Sequence, residues 1–297
     1  MNILVLGGTR FVGRAIAGAA LERGHEVTLF NRGSHPELFP RARRIIGDRT
    51  TADIEQVAAR RWDCVVDVSA YRPAEVRSLL RALGTPAPHH VFISTVSVYD
   101  NPPLGSDERA RLIEVDESVP STDPRSYGGL KVLCEREMRE AVGDRLTVLR
   151  PTVVIGPHDT TDRFPWWVRT VASGGTIAVT RPEQPVQLID ADDVAVFALR
   201  TIEHAIHGTF NTAGPRDPLT VESMVMTLGE ALSVDVACVR DDRADGDLPL
   251  QLARDGSEDG FFRVSIEAAL AEGLTLRPLG DSARAVLRSQ EQRAESR

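Results

Sequence analysis

Short apolar runs recur through the first half of the chain, at residues 3–6, 27–30, 45–46, 64–68, 91–94 and 147–149. None alternates apolar with polar positions, as a strand with one wet face would. They therefore predict strands covered on both faces, the pattern of a parallel sheet. Helical periodicity fills the intervals. Val76, Leu79, Leu80 and Leu83 fall on one helix face, and Val12, Ile16, Ala19 and Ala20 form a similar stripe. Gly24 stands where a helix-ending glycine belongs, just before the second run. This rhythm predicts an α/β fold with a doubly wound, Rossmann-like parallel sheet.

After Pro151 the rhythm breaks. Prolines 157, 165, 182 and 185 and the pair Gly174–Gly175 interrupt the chain. Residues 192–204 read as a helix and 208–213 as a strand able to rejoin the sheet. The expected division is a dinucleotide-binding domain over 1–150, rejoined by about 186–213. A smaller C-terminal substrate lobe is then built from 151–185 and 214–297. The charged stretch 241–247 reads as a solvated loop. The polar residues from Arg288 on read as a helix end or tail.

The first apolar run leads into GGTRFVG, residues 7–13, and then into the first helical stripe. A glycine-rich turn between strand and helix lets backbone N–H groups face a pyrophosphate at the helix N-terminus. Gly7, Thr9, Arg10, Phe11, Val12 and Gly13 are thus the expected dinucleotide cradle. Gly7 makes the turn, and Gly13 lets the helix pack closely on the strand. Arg10 stands where such loops carry their middle glycine. Turned outward, its guanidinium can reach a phosphate. The second strand ends in Asn31 and Arg32 rather than in the acid that accepts a ribose hydroxyl. The residues therefore favour NADP(H), with NAD(H) as the alternative.

In SYGGLK, Tyr127 and Lys131 lie four residues apart on one helix face. A phenol titrates near pH 10, and an ammonium nearby lowers that value. Such a pair works as proton donor and acceptor beside a carbonyl or alcohol. The stretch VFISTVSVY ends the fifth strand and presents Thr95 at the sheet's carboxyl edge, with Ser94 and Ser97 as competitors.

These segments resemble the extended short-chain dehydrogenase/reductase family, in its epimerase/dehydratase branch. The matches are GGTRFVG, Gly47–Asp48, VFISTVSVY, YGGLK, LRPTVVIGP at 149–157 and LIDADDVA at 188–195. The resemblance implies a catalytic triad of Thr95, Tyr127 and Lys131. Tyr127 would be the acid/base, Lys131 would lower its pKa and hold the nicotinamide ribose, and Thr95 would polarise the substrate oxygen. It also implies that Asp48 contacts adenine and that Ser69, Ala70 and Pro151 lie beside the cofactor. Three departures bear on substrate. Val186 stands where relatives acting on nucleotide sugars often carry arginine, and Val153 where they often carry asparagine. Val96 and Ser97 follow Thr95 where sugar dehydratases have an Asp–Glu pair. A nucleotide-diphosphate sugar and simple dehydration are both disfavoured.

The expected activity is hydride transfer between a nicotinamide and a carbonyl or alcohol of a small molecule. A redox-neutral epimerase with retained nucleotide is an alternative. So is a catalytically idle scaffold for a nucleotide or RNA, because relatives with GGTRF loops include chloroplast RNA-binding proteins. The net charge of -8 argues against nucleic acid as a partner. Three widely spaced cysteines predict buried thiols rather than disulfides. With no basic leader and no long apolar run, the chain is expected to be cytoplasmic and free of membrane. A homodimer is plausible by analogy with the family. His204 and His207 read as a helix end, and no metal is expected. Trp166 and Trp167 read as inter-lobe core or substrate wall, with Gln184 and Gln187 near the same pocket.

Overall fold

The computed structural model describes residues 1–85, 87–243 and 248–295. The first half alternates strands and helices: β1 (Asn2–Leu6), α1 (Phe11–Glu22), β2 (Glu26–Asn31), β3 (Arg43–Ile46), β4 (Cys64–Asp67), α2 (Pro73–Leu83), β5 (His89–Ile93), α3 (Ser126–Val142) and β6 (Leu146–Pro151). There follow β7 (Val153–Ile155), α4 (Arg163–Ala172), β8 (Gly175–Val179), β9 (Pro185–Val186), β10 (Leu188–Asp190), α5 (Ala191–Glu203) and β11 (Gly208–Thr212). The remainder is β12 (Leu219–Thr220), α6 (Val221–Leu232), β13 (Val236–Arg240), α7 (Glu267–Ala271) and α8 (Leu279–Glu295). All six predicted runs are strands. The predicted return at 208–213 is β11, which pairs parallel with β6.

Seven strands form one sheet in the order β11-β6-β5-β4-β1-β2-β3, with every pairing parallel. Both faces are covered, which is why the runs lack alternation. On one side Ile3 and Val5 pack with Ile16, Ala17 and Ala20 of α1 and Val194, Phe197 and Ala198 of α5. On the other, Leu4 and Leu6 pack with Val76 and Leu79 of α2 and Cys134 and Met138 of α3. Gly24 ends α1 with φ +80°, a left-handed turn that costs glycine little.

A further apolar cluster lies in the second half. Phe164, Trp167 and Val171 of α4 meet Met224 and Leu228 of α6 and Val286 of α8. Small strand pairs complete it: β8 with β13, β7 with β10, and β9 with β12. The sequence pattern missed these pairs; β7, β9, β10 and β12, at two or three residues, are too short to carry a period. Residues 244–247 of the charged stretch, and residues 296–297 of the tail, lie outside the described residues. Among the described residues, no helix is long and apolar enough to cross a membrane.

Candidate active site

The strand order reverses at β1, whose neighbours β2 and β4 lead in opposite directions. Such a switch opens a crevice at the carboxyl ends of the strands. Gly7 follows β1 there with φ +103°. A Cβ on Gly7 would lie 2.6 Å from Val68 Cγ2, and one on Gly13 would lie 2.8 Å from both Gly8 N and Val68 Cγ2. The loop after β1 therefore nests against the loop after β4, and side chains at these glycines would force the two apart. Helix α1 begins with no side-chain cap hydrogen bond and no acid in its first turn. Its first N–H groups and positive dipole end suit an anion. Arg10, at the cap, is extended in backbone and exposed in side chain.

Asn31 and Asp48 close the same edge, where Gly47 N donates to Asn31 O at 3.0 Å. Asn31 Oδ1 accepts from Gly33 N at 2.8 Å, while its buried Nδ2 donor has no partner among the described residues. Asp48 accepts from Thr50 N and Oγ1, bonds that hold its carboxyl below the ordinary range. The charge of exposed Arg32 adds to that effect.

Thr95 leaves β5 and caps a tight turn, its Oγ1 accepting from Ser97 N at 3.1 Å. Helix α3 packs directly on that turn. A Cβ on Gly128 would fall 1.8 Å from Ser97 O, so only glycine allows this approach. Tyr127 is thereby brought beside Thr95. Burial raises the Tyr127 pKa, and neighbouring Tyr71 raises it further. The nearby Thr95 hydroxyl and the charge of Arg163 pull it back only in part. The residue as a whole is nonetheless 47% exposed.

Lys131, one turn on, is 3% exposed. Its Nζ donates to Ala70 O at 2.9 Å and Ile93 O at 2.7 Å. Burial pulls its pKa down to about 8. The expectation that Lys131 lowers the Tyr127 pKa is corrected here: the phenol is raised. The ammonium is engaged by carbonyls and faces the rings of Phe92 and Tyr71, so burial governs the phenol instead.

Two buried ion pairs brace the site, and the sequence reading missed both. Arg49 makes a two-pronged contact with Asp67, at 2.7 and 2.8 Å, and also donates to Ser69 Oγ at 2.9 Å. Asp67 Oδ1 in turn accepts from Ser69 N and Ala70 N. Burial works against the Asp67 carboxylate, but the Arg49 charge overrides it and holds the pKa low. Beneath Thr95, Arg150 of β6 binds Glu135 of α3 at 2.6 and 3.0 Å. Ser94 Oγ donates into that pair at 2.5 Å, which removes Ser94 as a rival to Thr95. The available signal was a charge in an otherwise apolar strand: Asp67 closing CVVD and Arg150 inside LTVLRP.

Other candidates serve packing. Gln184 bonds the backbone of Leu250 and Leu252, and Gln187 bonds both backbone groups of Val264, so neither amide is turned to a ligand. Trp167 is fully buried with its indole N–H on Pro249 O, and Trp166 stacks edge-on against it. His204 ends α5, and His207 stacks on His89 at 4.4 Å. Pro151 closes β6, and Ser69 and Ala70 follow β4, on the edge that carries the glycine loop.

The sequence profile of the NAD dependent epimerase/dehydratase family matches residues 3–213. The chain belongs to the NAD-dependent epimerase/dehydratase family. Among its relatives, the epimerase family protein SDR39U1 of Bos taurus is 27% identical over 252 residues, 78% of this chain and 81% of that protein. The chloroplast stem-loop binding protein of 41 kDa b of Arabidopsis thaliana is 27% identical over 234 residues, 72% of this chain. That match spans only 59% of the Arabidopsis protein's length. Solved epimerases share the fold. A UDP-N-acetylglucosamine 4-epimerase from Methanobrevibacter ruminantium, solved with UDP-N-acetylmuramic acid, aligns at TM-score 0.74 and 18% identity over 98% of both chains. A UDP-glucuronic acid 4-epimerase from Bacillus cereus, solved with NAD, aligns at TM-score 0.70 and 18% identity, covering 98% of this chain and 99% of that one.

Proposed function

We propose that this family member is an NAD(P)-dependent oxidoreductase acting on a carbonyl or alcohol of a small molecule, with Thr95, Tyr127 and Lys131 as its catalytic residues. The observation that carries the reading is a half-exposed Tyr127 held beside Thr95 at the carboxyl edge of the sheet by the close approach of Gly128 to Ser97.

A dinucleotide fits the residues present. Side chains at Gly7 and Gly13 would fill the cradle, and an uncapped helix start faces it. An unpartnered Asn31 donor lies where the ribose end would rest. Bound there, the nucleotide supplies the hydride. Tyr127 supplies the proton. Its raised pKa keeps the phenol protonated at neutral pH, which suits carbonyl reduction. Thr95 orients the substrate oxygen against that phenol. Lys131 holds its positive charge beneath the site. Asn31, Arg10 and Arg32 present donors and no acid of their own, which supports NADP(H) over NAD(H). Nearby Asp48 already faces Arg32, and that competition limits the preference.

An epimerase that retains its nucleotide uses the same three residues, and family membership favours it as the second reading. Val186 and Val153 weigh against a nucleotide-sugar substrate, and Val96 and Ser97 against simple dehydration. Net turnover changes the absorbance of the reduced nicotinamide, whereas self-recycling does not. The RNA scaffold reading has a named relative but meets the net charge of -8.

The test is Tyr127→Phe. Nucleotide affinity should stay within about twofold, while turnover on a carbonyl panel falls about 10²- to 10⁴-fold. Undiminished turnover would remove the acid–base assignment.

A further inference from the structure

Tyr71 neighbours both Tyr127 and Lys131. Its ring centroid lies 6.4 Å from that of Tyr127 and 5.4 Å from Lys131 Nζ. An ammonium has three donors. Two are engaged by Ala70 O and Ile93 O, and what remains of the charge faces two rings, Phe92 and Tyr71. Phe92 is a sheet residue with no exposed surface, whereas Tyr71 is 55% exposed. A ribose approaching Lys131 from solvent therefore meets Tyr71 first.

The backbone around Tyr71 is held on both sides. Ser69 N and Ala70 N donate to Asp67 Oδ1 at 3.0 Å, and Tyr71 N donates to Glu75 Oε2 at 2.7 Å. The Tyr71 hydroxyl makes no hydrogen bond among the described residues. The backbone is thus pinned while the ring is held only by its contacts, so the ring can turn without disturbing the loop.

We infer that Tyr71 is a further residue of the dinucleotide site: its ring keeps the place over Lys131 that the nicotinamide-side ribose takes, and it yields when the nucleotide binds. The inference rests on the dinucleotide reading above. Binding then exchanges a cation–π contact for ribose hydrogen bonds at the same ammonium. Removing the ring spares the nucleotide that exchange. The adenine half never reaches Lys131 and is indifferent to the ring.

The experiment is calorimetric titration of the full chain with NADH, NADPH and ADP, for wild type, Tyr71→Phe, Tyr71→Ala and Tyr71→Ser. Loss of the ring in Tyr71→Ala or Tyr71→Ser should tighten binding of the preferred dinucleotide about 2- to 30-fold, the range of one cation–π contact. ADP affinity should stay within about twofold, which also reports that the variants fold. Tyr71→Phe keeps the ring and should behave as wild type. Unchanged or weaker dinucleotide binding in the ring-deleted variants overturns the inference, as does an equal shift in ADP. If wild type binds ADP and a dinucleotide but the ring-deleted variants show no gain, the Tyr71 inference falls while the dinucleotide site stands. A wild type that binds neither removes the site, and Tyr71's role with it.

Discussion

Gly128→Ala sets two physical rules against each other. Inside a helix, alanine is favoured over glycine by about 1 kcal/mol, so on propensity alone the variant should be more stable. The contact says the reverse. The new Cβ would sit 1.8 Å from Ser97 O and 2.7 Å from Ser97 C. A carbon rests no closer than about 3.3 Å to a carbonyl oxygen, so α3 and the Thr95 turn must separate by roughly 1.5 Å. The nearest atoms are the Ser97 backbone, and the helix is also tied down by the Glu135–Arg150 pair, so neither side yields freely. Overpacking of this kind costs about 1–3 kcal/mol. The prediction is net destabilisation in urea unfolding. A displacement near 1 Å between reacting groups costs about 10²-fold in rate, so turnover should fall by at least that factor. Gly18→Ala in α1 is the control. Its Cβ meets only the Phe39 ring, at 3.4 Å, and should bring a gain near 1 kcal/mol with turnover intact. A Gly128→Ala protein as stable and active as wild type would refute the reasoning.

Two further predictions concern charge. Lys131 has its pKa depressed from 10.5 to about 8 in the folded chain. Between those values the unfolded chain binds one more proton, so stability rises with pH. At about 1.4 kcal/mol per unit, wild type should gain about 3 kcal/mol relative to Lys131→Met between pH 8 and 10.5. Urea titrations of both proteins at the two ends measure the difference, and a constant gap would contradict the buried charge. Replacing Arg10 and Arg32 together with alanine should weaken NADPH binding more than NADH binding by calorimetry. Equal weakening would remove the 2′-phosphate argument.

Much of the fold was legible because burial on both faces writes itself into sequence as unbroken apolar runs. The β1 run could be placed at the centre of the sheet, with the glycine loop at its carboxyl end, since a strand, a turn and a helix each carry their own signal. Tyr127 and Lys131 were legible as a helical pair, but spacing cannot report depth: one ended exposed and the other sealed. The sealed ammonium is engaged by two backbone carbonyls, and the Tyr127 pKa is raised rather than lowered. Arg49–Asp67 and Arg150–Glu135 are long-range pairings, 18 and 15 residues apart, that no local period encodes. Gln184 and Gln187 looked like pocket amides because polar residues near a ligand region and polar residues tethering a loop read alike. Tyr71 was passed over because one tyrosine after a strand has no pattern, and its meaning comes only from its contacts with Tyr127 and Lys131, which are distant from it in sequence.

The central claim is that the Tyr127 phenol faces the reactive ring of a nucleotide cradled by residues 7–13. Crystals of the chain soaked with NADPH measure this directly. The account predicts the pyrophosphate on the N-terminal turn of α1 and the nicotinamide beside Tyr127, with Tyr71 turned off Lys131. Nucleotide ordered elsewhere, or a nicotinamide far from that phenol, would contradict it.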